Sequence, residues 1–152
     1  MTAFNATLKD ENATVALGQQ FAQAIKPPLV VYLNGDLGAG KTTLSRGIIQ
    51  HLGHIGAVKS PTYALVEPYE INNVDIFHFD LYRVADPEEL EYMGIRDYFT
   101  DNSICLVEWP ENGNGLIPAA DVQINIRYQD EQRQITIEAH SDIGQTLVNK
   151  LK

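Results

Sequence analysis

Gly35-Asp36-Leu37-Gly38-Ala39-Gly40-Lys41-Thr42 carries more information than any other segment of this chain. It fits G-x-x-x-x-G-K-[ST] at every position, the pattern of a loop that wraps a polyphosphate. Each fixed position answers a physical demand. Backbone N–H groups must converge on the anion, and glycine permits both the turn and the close approach. Lys41 brings a point charge to the terminal phosphates, and Thr42 offers a hydroxyl to Mg²⁺. The helix opening at Lys41 aims its free N–H groups and the positive end of its dipole at the same place. With 11 Gly among 152 residues and the chain's own Lys, Ser and Thr frequencies, a random match has a probability of about 0.3%. The loop also follows a strand-like run and precedes a helix-like one. A nucleotide-phosphate site is therefore preferred over a glycine-rich turn with a surface lysine.

Around this loop the patterning is regular. Leu29-Val30-Val31-Tyr32-Leu33 is a short, unbroken apolar run, which suits a strand buried on both faces. A helix is expected from about Lys41 to Leu52, ending near Gly53. Upstream, Asp10 to Ile25 places Val15, Leu17, Phe21, Ala22 and Ile25 mainly on one side of a helix, which Pro27 and Pro28 stop. Downstream, Tyr63 to Tyr69 and Val74 to Asp80 read as strands around a turn at Asn72-Asn73. Asp86-Pro87-Glu88-Glu89 starts a helix, with acids at the positive end of its dipole. Ser103 to Val107 is a second buried strand, closed by Pro110. Val122 to Tyr128 and Gln134 to Ala139 form an antiparallel hairpin across the polar Gln129 to Glu131. Ser141 caps a last helix whose Ile143, Leu147 and Leu151 are expected to dock on the core.

Composition bounds the answer. A chain of 152 residues with 44% hydrophobic and 20% charged residues suits one globular domain over residues 1–152 and excludes a disordered or collagen-like chain. No apolar stretch approaches the ~20 residues of a membrane span, and no signal peptide is visible. The single cysteine, Cys105, cannot form an internal disulfide, so a reducing cytoplasm is the expected compartment. Eleven basic residues face twenty acidic ones, a formal charge of -9. The bases are never adjacent, and autonomous binding to a nucleic-acid backbone is disfavoured. Contact with nucleic acid through a basic partner stays open.

The chain lacks the D-x-x-G and N-K-x-D segments of a switch GTPase; Asn149-Lys150-Leu151-Lys152 ends without the acid. ATP is the default nucleotide. Glu108 ends the apolar run Ile104 to Val107, at the carboxyl end of an expected parallel strand, the edge where open α/β sheets bind ligands. Asp80 ends Ile76-Phe77-His78-Phe79 in the same manner. Spacing alone leaves open which acid touches metal and which orients water. Ser60-Pro61-Thr62 places hydroxyls after the loop's helix, where one can sense a terminal phosphate. Trp109 is a candidate neighbour of the nucleotide. Among Arg83, Arg96, Arg127 and Arg133 one phosphate clamp is possible, and Arg133 is carried as the nucleotide-binding candidate. Cys105 reads as a core thiol. His51, His54, His78 and His140 show no metal-site spacing and read as structural or surface residues.

With these residues in place, the chain resembles the TsaE (YjeE) family of bacterial P-loop ATPases required for threonylcarbamoyladenosine formation on tRNA. The similarity runs through Gly35 to Thr43, Ser60-Pro61-Thr62, His78-Phe79-Asp80-Leu81-Tyr82-Arg83 and Val107-Glu108-Trp109-Pro110-Glu111, in that order. Glu11-Asn12-Ala13-Thr14 resembles a weaker motif near the adenine. The resemblance implies an α/β fold of the P-loop NTPase kind: a mostly parallel central sheet flanked by helices, with an antiparallel C-terminal hairpin. It implies slow hydrolysis of ATP to ADP with Mg²⁺, and action on the TsaD–TsaB pair, with tRNA met only through that complex. By the same resemblance Gly35, Asp36, Leu37, Gly38, Ala39, Gly40, Lys41, Thr42 and Thr43 hold the phosphates and Glu11 and Thr14 lie near the adenine, to which the residues' own reading adds Trp109 and Arg133 about the nucleotide. Thr42 and Glu108 hold Mg²⁺ directly or through water, while Asp80 and Thr62 position water or sense the terminal phosphate. Two rival functions share the loop. A small-metabolite kinase needs an acceptor pocket and a lid with clustered arginines, which the sequence lacks. A nucleotide-gated binding module needs no turnover.

Overall fold

Seven strands lie side by side in one sheet in the order β1-β7-β6-β2-β5-β4-β3, as seen in a computed structural model that describes residues 2–36, 38–61 and 65–152. They are β1 (Ala3–Leu8), β2 (Leu29–Asn34), β3 (Val66–Ile71), β4 (Val74–Asp80), β5 (Ser103–Glu108), β6 (Val122–Gln129) and β7 (Gln132–Ala139). The centre, β6-β2-β5-β4, is parallel. Antiparallel strands flank it, β7 and β1 on one side and β3 on the other. The helices are α1 (Glu11–Ala24), α2 (Lys41–Leu52), α3 (Glu88–Tyr92) and α4 (Asp142–Leu151).

The parallel strands are where the sequence is most apolar, as strands covered on both faces must be. All six positions of β5 are buried. On one face Leu29, Val31, Leu33, Ile76, Ile104 and Leu106 pack with Leu17 and Phe21 of α1 and Leu44, Ile48 and Ile49 of α2. On the other, Phe79, Cys105 and Val107 pack with Leu81, Leu90 and Ile95. Cys105 is the expected core thiol, its pKa pushed up to about 12 by burial. Helices α1 and α2 cross closely. A Cβ on Gly18 would sit 2.8 Å from the Leu44 carbonyl oxygen, and one on Gly47 2.7 Å from that of Val15, so the contact admits only glycine.

Helix α1 starts as expected, with the Asp10 carboxylate accepting the Ala13 N–H at 2.8 Å. The turn between β3 and β4 also stands: Asn72 and Asn73 both have positive φ, 53° and 66°, the geometry a two-residue hairpin turn demands. The hairpin β6–β7 pairs Val122 with Ala139 and runs to Gln129 opposite Gln132.

Three expectations need correction. Strand β1 falls where the patterning predicts no element. Its Phe4, Ala6 and Leu8 alternate with Ala3, Asn5 and Thr7, too mixed to stand out as an apolar run, and pairing with β7 recruits it. Strand β3 runs from Val66 to Ile71 rather than ending at Tyr69, because its register with β4 continues to Ile71 opposite Val74; Tyr63 and Ala64 lie outside the described residues. On α4, Ile143 is 46% exposed. The docked face is Gly144, Leu147, Val148 and Leu151, set by Ser141, whose Oγ accepts the Gly144 N–H at 3.0 Å. No helix among the described residues is long and apolar enough to cross a membrane.

Candidate functional site

Strands β2, β4 and β5 run in parallel, so they finish at one edge of the sheet. The register sets Leu33 and Asp80 on either side of Glu108. The loop after β2 turns over that edge. Gly38 and Gly40 have φ of 79° and 115°, which side-chain-bearing residues rarely adopt. Ala39 N–H donates to the Asp36 carbonyl at 3.0 Å to close the turn. Helix α2 then begins at Lys41 with no side chain capping its first N–H groups. Those donors and the helix dipole are left for an anion.

Lys41 is 5% exposed. Its Nζ donates to the Gly35 carbonyl at 2.7 Å and lies 3.9 Å from the ring centroid of Trp109, a cation–π distance. Burial holds the ammonium below the usual lysine pKa, and the charges of Glu108, Asp80, Glu111 and Asp36 oppose that shift. Trp109 reaches over the lysine from a left-handed backbone position, φ 57°, and packs on Tyr82 with ring centroids 4.9 Å apart.

The two acids sit in different surroundings. Glu108 is 3% exposed; its Oε2 lies 2.6 Å from His78 Nε2 and 3.4 Å from Thr42 Oγ1. Thr42 Oγ1 is also 2.5 Å from Ser60 Oγ. Asp80 is half-buried, with Oδ1 accepting the Tyr82 N–H at 3.0 Å. Burial raises its pKa above the carboxylate norm, and Glu108 adds to the rise. The Tyr82 N–H, His78 and Lys41 pull it back.

Two hollows meet at the loop. One, about 250 Å³, is lined by Gly38, Gly40, Lys41, Thr42, Thr43, Ser60, Asp80, Glu108 and Trp109. The other, about 190 Å³, adds Glu11, Thr14, Ala39 and Arg133. Glu11 is not free in it, since its carboxylate pairs with Arg46 at 2.7 Å. Arg133 lies over the Tyr128 ring at 4.0 Å and donates from Nε to the Ala39 carbonyl at 3.2 Å, tying the β6–β7 hairpin to the loop. Leu37 and Thr62 lie outside the described residues. Glu11, Thr14, Gly38 to Thr43, Asp80, Glu108, Trp109 and Arg133 gather about this one edge, Asp36 acts there through its charge on Lys41, and Arg83, Arg96 and Arg127 line neither hollow, Arg96 pairing with Glu91 instead.

His78 is the residue that sequence reasoning passed over. It is fully buried, and strand alternation was the available signal: Ile76, His78 and Asp80 share one face of β4. For a metal, Glu108 and Thr42 supply hard oxygen donors side by side. Among the described residues no group of three or more His, Cys, Asp and Glu is assembled to hold an ion by itself. That donor set fits Mg²⁺, which binds through one or two protein oxygens and completes its shell with nucleotide phosphates and water.

The model for the family described as "Threonylcarbamoyl adenosine biosynthesis protein TsaE" matches residues 8–135. The chain belongs to the TsaE family. It is 51% identical, over 98% of both chains, to the tRNA threonylcarbamoyladenosine biosynthesis protein TsaE of Haemophilus influenzae. Identity to the protein of the same description in Bacillus subtilis is 37%, over 91% of this chain and 87% of that one. Among solved structures, the crystal structure of Bacillus subtilis YdiB superposes with a TM-score of 0.82 at 29% identity, covering 99% of this chain and 94% of that one. This TsaE-family chain thus has a nucleotide-binding P-loop fold, in a family that serves threonylcarbamoyladenosine biosynthesis on tRNA.

Proposed function

We propose that this chain is a Mg²⁺-dependent ATPase, slow by itself, that supports threonylcarbamoyladenosine modification of tRNA in the cytoplasm by acting on the TsaD–TsaB pair. One observation carries the ATPase reading: Lys41, Thr42, Asp80 and Glu108 converge on a single hollow at the carboxyl ends of the parallel strands. The family to which the chain belongs points to the tRNA modification.

The backbone amides from Gly35 to Thr43, Leu37 included, bind the phosphates, and Lys41 turns from the Gly35 carbonyl toward the terminal ones. Glu11, Thr14 and Arg133 border the nucleoside side, and Trp109 covers the phosphate side. Thr42 and Glu108 would hold Mg²⁺, which neutralises charge on the β- and γ-phosphates when bound. Asp80 orients the attacking water and accepts its proton as the P–O bond forms. Its raised pKa makes it a better base than an ordinary aspartate. Thr62 senses the terminal phosphate. Hydrolysis releases ADP and inorganic phosphate, and the two states offer the partner two surfaces. The -9 charge agrees with a protein that meets tRNA only through its partner.

Phosphate release from ATP, measured with and without purified TsaD–TsaB, tests this reading. A slow basal rate that rises with the pair is expected. No hydrolysis in either condition would overturn the ATPase. A phosphorylated acceptor formed from a metabolite mixture would replace it with the kinase.

A further inference from the structure

We propose that His78 is a positioning residue: through Nε2–H it fixes the Glu108 carboxylate in the orientation that couples Mg²⁺ to nucleotide binding. This rests on the Mg²⁺ reading above. The parallel register pairs His78 with Leu106 and Asp80 with Glu108. His78 and Glu108 are therefore diagonal neighbours on one face of adjacent strands, close enough for long side chains to meet. They meet at 2.6 Å, with side-chain exposures of 0% and 4%.

Stability alone does not account for an imidazole here. On that face of the parallel strands its register partner is Leu106 and Ile76 stands two residues back on β4, both in the larger core. Its Nδ1 is buried with no hydrogen-bond partner among the described residues. A buried polar atom without a partner costs free energy that an aliphatic side chain would not incur. Among the described residues the imidazole makes one hydrogen bond in return, and that bond goes to Glu108. A ring that donates from Nε2 and leaves Nδ1 as a bare lone pair satisfies both observations.

The bond has a directional consequence. Glu108 has three rotatable side-chain bonds. The imidazole grips Oε2, the same oxygen that Thr42 Oγ1 approaches at 3.4 Å, so the carboxylate is held beside the threonine hydroxyl. Partners that orient metal ligands in this way change metal affinity by about 10–100-fold when removed. His78 lines neither hollow at the loop, so its effect passes through Glu108.

The test measures the Kd of a non-hydrolysable ATP analogue by calorimetry, in EDTA and in excess Mg²⁺, for wild type, His78→Leu and His78→Gln. The leucine removes the donor, whereas glutamine places an amide N–H at a similar reach. The expected result for His78→Leu is an EDTA Kd within about twofold of wild type and a loss of about tenfold in the tightening by Mg²⁺. His78→Gln should recover most of that tightening. Should the leucine variant fail to fold by circular dichroism, His78→Asn, whose shorter amide falls short of Glu108, carries the same comparison. Equal Mg²⁺ tightening in wild type and His78→Leu would overturn the role of His78 alone. So would glutamine and leucine variants that are well folded and equally impaired. A wild-type chain whose affinity ignores Mg²⁺ would overturn the parent reading, and the role of His78 with it.

Discussion

On one side of β4 the side chains run Ile76, His78, Asp80; on the other they include Phe77 and Phe79. Strand β5 repeats the contrast, with Ile104, Leu106, Glu108 on one face and Cys105, Val107 on the other. The second face is adhesive along its whole length. Phe79 stacks on Phe99 with centroids 5.6 Å apart and meets Tyr98 edge-on. The first face begins as core and ends in charge. There, burial drives the Lys41 ammonium down and the Asp80 carboxyl up from their ordinary pKa values. Two strands thus anchor the fold with one set of alternating positions and build a site with the other. The site is the half whose groups gain from a ligand.

Breaking the adhesive face should give the largest effect. Phe79 is fully buried, and Phe79→Ala is expected to cost about 3–5 kcal/mol of stability, read from urea unfolding. Nucleotide affinity of the remaining folded protein should change little. A matching collapse of affinity would mean that the two faces are not separable. On the polar face, Lys41→Ala is expected to weaken ATP binding by about a hundredfold or more, as loss of a buried charged partner does. Its cost in stability should be smaller than that of Phe79→Ala, because the burial that lowers the lysine pKa offsets part of what the ammonium gains from the Gly35 carbonyl and the Trp109 ring. Calorimetry and thermal unfolding on the same sample check both parts.

A smaller effect sharpens the contrast. Folded Asp80 keeps its proton to higher pH than the unfolded chain does. Its favourable share of stability is present below the ordinary aspartate pKa and fades as pH rises through the raised value. Asp80→Asn should therefore have a higher Tm than wild type at neutral pH without nucleotide. The gap should close as pH falls toward the ordinary carboxylate range, and turnover should be lost. A Tm difference that does not vary with pH would deny Asp80 this strained state.

Much of this was legible before any fold was seen. The loop's glycines, Lys41 and Thr42 answer local demands of backbone and phosphate, so their order along the chain was enough. Strands β2 and β5 announced themselves as unbroken apolar runs, the second placing Glu108 at a strand end, and Ile76 to Phe79 of β4 did the same for Asp80. Strand β1 was hidden, because its Ala3, Asn5 and Thr7 become strand only by pairing with β7. His78 was hidden for a related reason. It stands 30 residues from Glu108 in sequence, and no spacing along one chain records which residues of two strands become diagonal neighbours. Trp109 over Lys41 and Arg133 tied to Ala39 belong to the same class.

The sequence by itself determined what acts within a few residues: the phosphate loop, the capped starts of α1 and α4, the buried strands and their acidic ends. Only the tertiary structure decided which partners those ends acquire. Parallel pairing sets one register across β2, β5 and β4, and that long-range choice brings Glu108 within hydrogen-bond reach of His78 on one side and Thr42 on the other.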